Sequence, residues 1–410
     1  MRRQIPELVC LSLVLVVLVP SCGTAGRNKI NASATGSPAT TTVTRVGAIP
    51  AAPAPLPDST YPNGISPRWL SEAQNAWASA PPSPLLLSPT LNGASYDNIR
   101  FSGHSLRVVE KELAMEEDTG SEAITIDLGY DPWLSGDTSI IDDEDALIGS
   151  IRSSGRLVVL KDASAERYRN FPLPWDQFAA AWVQRVKAIA ARYHPDYYTV
   201  IKEPPWYAPM VAGLSRTDYS APADKQLLDV STWTSLLRQL ITAVKSVSPT
   251  TKVGIAVDAN LYRGQPGDVV DLKLMSAASR MEGLDFLGFD LYTASSFADT
   301  QRFLEDVGTG GKAVWINEAW STTAPTTSNP DQPEVDARWA GVLLDFAREI
   351  HAQGVSPFFT DYFASYSPAP TSKSALLSFY QGRTPVFRAF QAYERACRQR
   401  RSGSAVSARC

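Results

Sequence analysis

Eight units of strand followed by helix, repeated over about 300 residues, predict a (β/α)8 TIM barrel for this chain. Two further observations support it. The helical segments carry apolar residues at helical spacing, as in Phe178, Trp182, Val186, Ile189 and Tyr193. The strand candidates end abruptly in polar or acidic residues, which is how a barrel furnishes its C-terminal mouth. A doubly wound open sheet, the rival architecture, is expected to stop at five or six strands.

The elements follow in order. Residues 66–80, with Trp69 and Trp77, predict an N-terminal helix that covers part of the barrel. Residues 98–102 are the candidate first strand and 105–117 its helix. Then come strand 123–128 with helix 144–152, and strand 156–161 with helix 176–193. Strand 197–202 is followed by helix 232–247, strand 252–257 by helix 269–281, and strand 284–291 by helix 297–307. Strand 312–316 precedes a helix over 335–353 that should bury Val335, Trp339, Leu343, Phe346 and Ile350, with Gly354 as its C′ residue. Strand 355–360 and a helix over 385–398 complete the set.

The ends of the chain read differently. Arg2 and Arg3 before the short apolar run 8–19 form an export signal, too short to span a bilayer comfortably. It closes on Val19-Pro20-Ser21-Cys22-Gly23, which resembles a bacterial lipoprotein signal with Cys22 as the lipidated residue. Cleavage near Ala25 is the alternative. Residues 23–60 are rich in Ala, Thr, Ser and Pro and read as a flexible tether. The domains are therefore an export signal at 1–22, the tether, one barrel at 61–398 and a tail at 399–410. An exported, membrane-anchored or secreted monomer is expected. Cys397 and Cys410 are the only cysteines beyond the signal, and an oxidising compartment permits a disulfide between them.

Composition bounds the function. A content of 44% hydrophobic and 20% charged residues describes a globular protein with ample core. A net charge of −4 lacks the basic footprint of a nucleic-acid binder. Three histidines (His104, His194, His351) and no metal-type cysteine spacing argue against a metal hydrolase, and no metal or cofactor is expected.

Two phrases carry the chemistry. Val200-Ile201-Lys202-Glu203-Pro204 and Val314-Trp315-Ile316-Asn317-Glu318-Ala319-Trp320 each run from apolar residues into a glutamate beside aromatics. Two such glutamates on separate strands are what glycoside hydrolysis requires. Other mouth candidates are Asp127, Asp131, Asp162, Asp258, Asp290, Tyr292, Asn317 and Asp361. Trp133, Trp206 and Trp320 lie just past the second, fourth and seventh strands, where indole faces could stack on sugars. For each alone, packing beneath a loop is an equal alternative, but three on one rim favour a carbohydrate cleft.

In these motifs the chain resembles the clan of retaining TIM-barrel glycoside hydrolases that includes cellulases, mannanases and galactanases. The resemblance spans about residues 98–398. It implies that Glu203, before Pro204, is the acid/base and Glu318 the nucleophile. It also implies that Tyr292 hydrogen-bonds that nucleophile. Pro204 is expected to hold Glu203 extended. Lys202 departs from the clan, which places asparagine there against the substrate 2-hydroxyl. The ammonium could grip an acidic sugar, lower the pKa of Glu203, or point away and pair with a neighbouring carboxylate. The last strand also ends in Asp361-Tyr362-Phe363, without the clan's tryptophan. The resemblance implies double displacement on a poly- or oligosaccharide, with carboxyls about 5 Å apart. Lys202, Trp206, Tyr292, Asn317, Trp320 and Trp133 are the candidate substrate contacts. A Schiff-base aldolase using Lys161 or Lys202 would leave the glutamates unexplained. A non-catalytic, surface-tethered glycan-binding protein on a hydrolase-like barrel is the alternative.

Overall fold

The structure, a computed structural model, describes residues 63–80, 85–91, 106–128, 138–162, 174–204, 228–321, 332–358, 360–367, 369–370 and 372–402. Among them, nine parallel segments share one sheet: β1 (Leu86–Leu87), β2 (Thr90–Leu91), β3 (Ala123–Asp127), β4 (Leu157–Lys161), β5 (Tyr197–Lys202), β6 (Lys252–Asp258), β7 (Phe286–Leu291), β8 (Ala313–Ala319) and β9 (Ala352–Pro357). The order is β1-β9-β8-β7-β6-β5-β4-β3-β2. β1 and β2 are consecutive in the chain, and they pair with β9 and β3 respectively. The Ser88 amide donates to the Val355 carbonyl at 2.8 Å, and the Thr125 amide donates to the Pro89 carbonyl at 2.9 Å. Proline has no N–H, so the hand-over between ladders falls where no donor is lost. One strand, broken at Ser88-Pro89, thereby closes an eight-stranded barrel.

The first strand is thus 86–91, upstream of the expected 98–102, which lies outside the described residues. An apolar Leu-Leu-Leu run flanked by prolines was the overlooked signal. The helices are α1 (Pro67–Trp77), α2 (Leu106–Asp118), α3 (Thr138–Ser153), α4 (Trp175–Tyr193), α5 (Val230–Val247), α6 (Pro266–Ala278), α7 (Ala294–Asp306), α8 (Gln332–Glu349), α9 (Asp361–Ala364), α10 (Lys373–Phe379) and α11 (Pro385–Ser402). The stripes on α4 and α8 are buried as their spacing requires. Ser66 caps α1, accepting from the Trp69 amide at 3.2 Å. Trp77 of α1 stacks on Phe297 of α7 at 5.8 Å and meets Phe346 of α8 at 4.7 Å. The helix therefore packs on the outer helical ring. Gly354 does not cap α8. It lies inside β9, and His351 takes the positive φ of 53° after the helix.

Inward side chains fill the barrel in layers. Leu86, Ala123, Val159, Tyr197, Phe286 and Trp315 form the lowest. Phe286 and Trp315 fit only because Gly254 and Gly354 face them. A Cβ on Gly254 would meet the Phe286 ring at 2.1 Å, and one on Gly354 the Trp315 ring at 2.5 Å. Above lies a hydroxyl layer. The Ser88 and Thr125 hydroxyls are 2.7 Å apart, Thr125 and Ser356 are 3.1 Å apart, and the Trp315 indole N–H donates to Ser356 at 3.0 Å. The top layer is charged, as described below.

Gly354→Ala is therefore expected to lower unfolding free energy by about 1–3 kcal/mol through overpacking. Gly341→Ala on α8, with nothing within 4 Å of the added Cβ, should be neutral or mildly stabilising. Equal urea midpoints for the two variants would contradict the layer packing.

Candidate active site

Two register shifts aim the site. On β5, Tyr197 and Thr199 point inward, so strict alternation would send Lys202 outward. The pairing with β6 slips between Thr199 and Ile201, and this bulge turns Lys202 into the barrel. On β8, Trp315 and Asn317 point inward. The pairing with β7 slips so that Phe289 faces Ile316 while Asp290 faces Glu318. Glu318 consequently shares the interior with Asn317.

Glu318 is 2% exposed and receives three donors. Its Oε1 accepts from Lys202 Nζ at 2.6 Å and from Lys161 Nζ at 3.0 Å, and its Oε2 accepts from the Tyr292 hydroxyl. Lys202 also donates to Asp127 Oδ2 at 3.0 Å. The centre is thus a neutral quartet of two ammoniums and two carboxylates. Phe358, half-buried just past β9, lies over both ammoniums, with its ring centroid 4.8 Å from Lys161 Nζ and 5.2 Å from Lys202 Nζ.

Burial alone would raise the Glu318 pKa. The two ammoniums and the Lys202 and Tyr292 hydrogen bonds reverse that and bring it down to about 2. The neighbouring acids move the other way. Asp290 is fully buried, bonded by Asn317 Nδ2 at 3.0 Å, and raised well above the usual range by burial and by Glu318 and Glu203. Asp271 of α6 is raised by burial and then by Asp258 and Glu203. Burial, Glu318, Asp290 and Glu203 likewise keep the Tyr292 phenol protonated.

Glu203 follows β5, half-buried, its amide donating to the Ala256 carbonyl at 2.9 Å. It is not extended. Its φ of 43° lies in the left-handed region, which costs a non-glycine residue about 1–2 kcal/mol. Strained residues of this kind cluster at functional sites. Glu203 and Glu318 both raise the pKa values of Asp290 and Tyr292.

Other expected contacts separate. Lys202 points inward and is engaged by Asp127 and Glu318, which corresponds to pairing with neighbouring carboxylates. Asn317 is 1% exposed and bridges Thr199 and Asp290, so it supports the barrel instead of reaching a sugar. Trp320 is wholly buried outside the strands, 5.5 Å from Trp339 and stacked 5.4 Å from Tyr362, and it offers no face to the mouth. Asp162 is structural: Arg185 of α4 grips both its oxygens at 2.6 Å. Trp133, Trp206, Cys22, Cys410, His104 and Asp131 lie outside the described residues, as does the Cys397 side chain within α11. Sequence reasoning missed Phe358, because β9 ends three residues earlier than expected. It also missed the part Lys161 plays, although inward parity with Leu157 and Val159 pointed there.

No family model matches the sequence, and no similar sequence is found among curated proteins. Solved structures do resemble it. β-Glycosidase BGL167 is 10% identical, with a TM-score of 0.51 over 78% of this chain and 98% of that one. Exo-β-1,4-mannosidase Op5Man5 from Opitutaceae bacterium strain TAV5 is 11% identical, with a TM-score of 0.52 over 77% of this chain and 60% of the mannosidase. Virulence factor SghA from Agrobacterium tumefaciens is 12% identical, with a TM-score of 0.50 over 78% and 99%. The likeness is one of fold alone: the chain shares the TIM-barrel architecture of these proteins.

The depressed Glu318 pKa has a consequence for stability. Its contribution is fully present above the unfolded-state pKa and is lost as the pH falls toward about 2. In Lys202→Met the carboxylates of Asp127 and Glu318 lose their shared cation, at a cost of about 3–5 kcal/mol near neutral pH. The drop in unfolding free energy between neutral and acidic pH should then be shallower than in the wild type. Parallel stability–pH curves would show that Lys202 does not hold Glu318 ionised.

Proposed function

We propose that this protein is a retaining glycoside hydrolase acting on a poly- or oligosaccharide by double displacement. One observation carries the reading: Glu318, at the C-terminal end of β8, is buried with its carboxylate held by Lys161, Lys202 and Tyr292, and Glu203 stands in a strained conformation at the corresponding end of β5. An ionised glutamate fits the nucleophile, so the proton must travel on Glu203. Oε1 of Glu318 is occupied by two ammoniums, which leaves Oε2, bonded by Tyr292, to attack the anomeric carbon. Glu203 gives its proton to the departing oxygen, then takes one from the water that cleaves the glycosyl ester. Phe358, beside the Tyr292 ring at 6.4 Å, offers an apolar face for the sugar. Two of the fold relatives are named as a β-glycosidase and an exo-β-1,4-mannosidase, so β-linked glycosides are the first substrates to try.

Glu318→Gln and Glu203→Gln should each reduce hydrolysis of 4-nitrophenyl β-glycosides by about a thousandfold or more while leaving circular dichroism native. Azide, which can replace a missing acid/base as the second nucleophile, should restore turnover only in the Glu203 variant. Wild-type-like rates in either variant would refute the assignment.

A second reading is favoured by the doubly paired Glu318 Oε1. Stabilising a carboxylate before the reaction lowers its nucleophilicity unless the stabilisation persists in the transition state. On that reading the barrel binds glycans without cutting them. Retention on immobilised polysaccharide, with no reducing ends released, is the outcome that supports it.

We further propose export and anchoring through a lipid on Cys22, with the barrel acting as a monomer. Detergent-phase partitioning should be lost in Cys22→Ser. Wild-type protein recovered wholly in the aqueous phase would exclude the anchor.

A further inference from the structure

Lys161 is fully buried. Its ammonium donates to Thr90 Oγ1 at 3.2 Å, to the Asn317 carbonyl at 3.3 Å and to Glu318 Oε1 at 3.0 Å. An ammonium has three hydrogens, so none is left for a sugar hydroxyl. Two of the acceptors belong to β8, which stands four strands from β4 in either direction around the barrel. The side chain thus crosses the interior and fastens the far wall at two adjacent residues. One of these, Asn317, is where the ladder between β7 and β8 slips. The other is the glutamate whose direction that slip determines.

We infer that Lys161 is a positioning residue: from across the barrel it pins the bulge at Asn317 and holds the Glu318 carboxylate in place and charged, without touching substrate. This rests on reading Glu318 as the nucleophile. Glu318 is bonded by Lys161 from β4, Lys202 from β5 and Tyr292 just past β7. Asp290 of β7 pairs opposite it in the ladder, Asp127 of β3 acts through Lys202, and Glu203 acts on Asp290 and Tyr292. Lys202 shares its charge with Asp127, whereas among the described residues the carboxylate bonded to Lys161 is Glu318. Removing Lys161 therefore takes away a cation bonded directly to Glu318. A lysine that merely filled space would leave the ionisation of Glu318 unchanged.

The test uses the full chain labelled with 13C at glutamate Cδ, with the Glu318 signal assigned by its loss in Glu318→Gln. In the wild type this signal should remain at the carboxylate position as the pH is lowered through the ordinary glutamate range. In Lys161→Met its midpoint should rise by at least about one unit, a tenfold change in ionisation constant. Lys161→Gln, which keeps polar contact without charge, should shift the same way and substitutes for the methionine variant if that fails to fold. With a 4-nitrophenyl β-glycoside, kcat should fall more than KM rises, and the acidic limb of kcat/KM should move upward by a similar amount. Superimposable Glu318 titrations would overturn the inference. If Glu318→Gln is inactive while the titrations coincide, the positioning role fails and the hydrolase reading survives. If the titration moves but Glu318→Gln still hydrolyses, the nucleophile assignment fails and the role of Lys161 in holding the carboxylate survives.

Discussion

Two buried ammoniums inside a closed sheet are a severe constraint, and the upper half of this barrel is arranged around meeting it. Lys161 and Lys202 are each at most 4% exposed, in an interior where an unpaired charge costs several kcal/mol. Glu318 and Asp127 supply equal and opposite charge, and Thr90, the Asn317 carbonyl and Tyr292 add hydrogen bonds. The paired groups come from three consecutive strands and one opposite, so the charge balance also fixes how the walls of the barrel meet.

The same balance divides labour among the carboxyl groups. The cations favour the charged form of Glu318, while Asp290 is driven toward the neutral form by burial and by that same glutamate, against a weaker pull from Lys202. Environments that push neighbouring acids apart in pKa are how one site holds both an anion and a proton source. On the proposed hydrolase reading, the cost is a nucleophile whose charge is already well satisfied, and reactivity then depends on how far the lysines can follow the charge as it leaves Glu318.

Much of the fold was legible in the sequence. Seven of the strands and the helices between them could be located from apolar runs and helical periodicity. The placement of Glu203 and Glu318 at strand ends followed, and the family resemblance implied the pairing of Tyr292 with Glu318. The first strand escaped because Ser88-Pro89 divides it into two short halves, each too brief to show a period. The direction of Lys202 could not be read, because a bulge reverses side-chain parity and leaves no mark in composition. Asn317 and Trp320 were misplaced for a related reason. Proximity to Glu318 in sequence says nothing of which face of β8 a residue joins, and one lies beneath the site while the other lies behind the wall.

The break at Ser88-Pro89 also bears on how the molecule comes together. The seam that closes the sheet joins Leu86–Leu87 to Gly354–Val355, partners separated by most of the domain, through a ladder only two residues long on that side. Contacts so distant in sequence form late, because a very long loop must close before they return any free energy. Until then Thr90 and Lys161 lie on one flank of an open sheet and Glu318 on the other. The charged centre is therefore absent from any partly synthesised or partly folded chain, whose lysines and acids remain hydrated and apart. A seam this short is also where the finished barrel would first open, exposing the interior to solvent exchange before the rest of the sheet gives way.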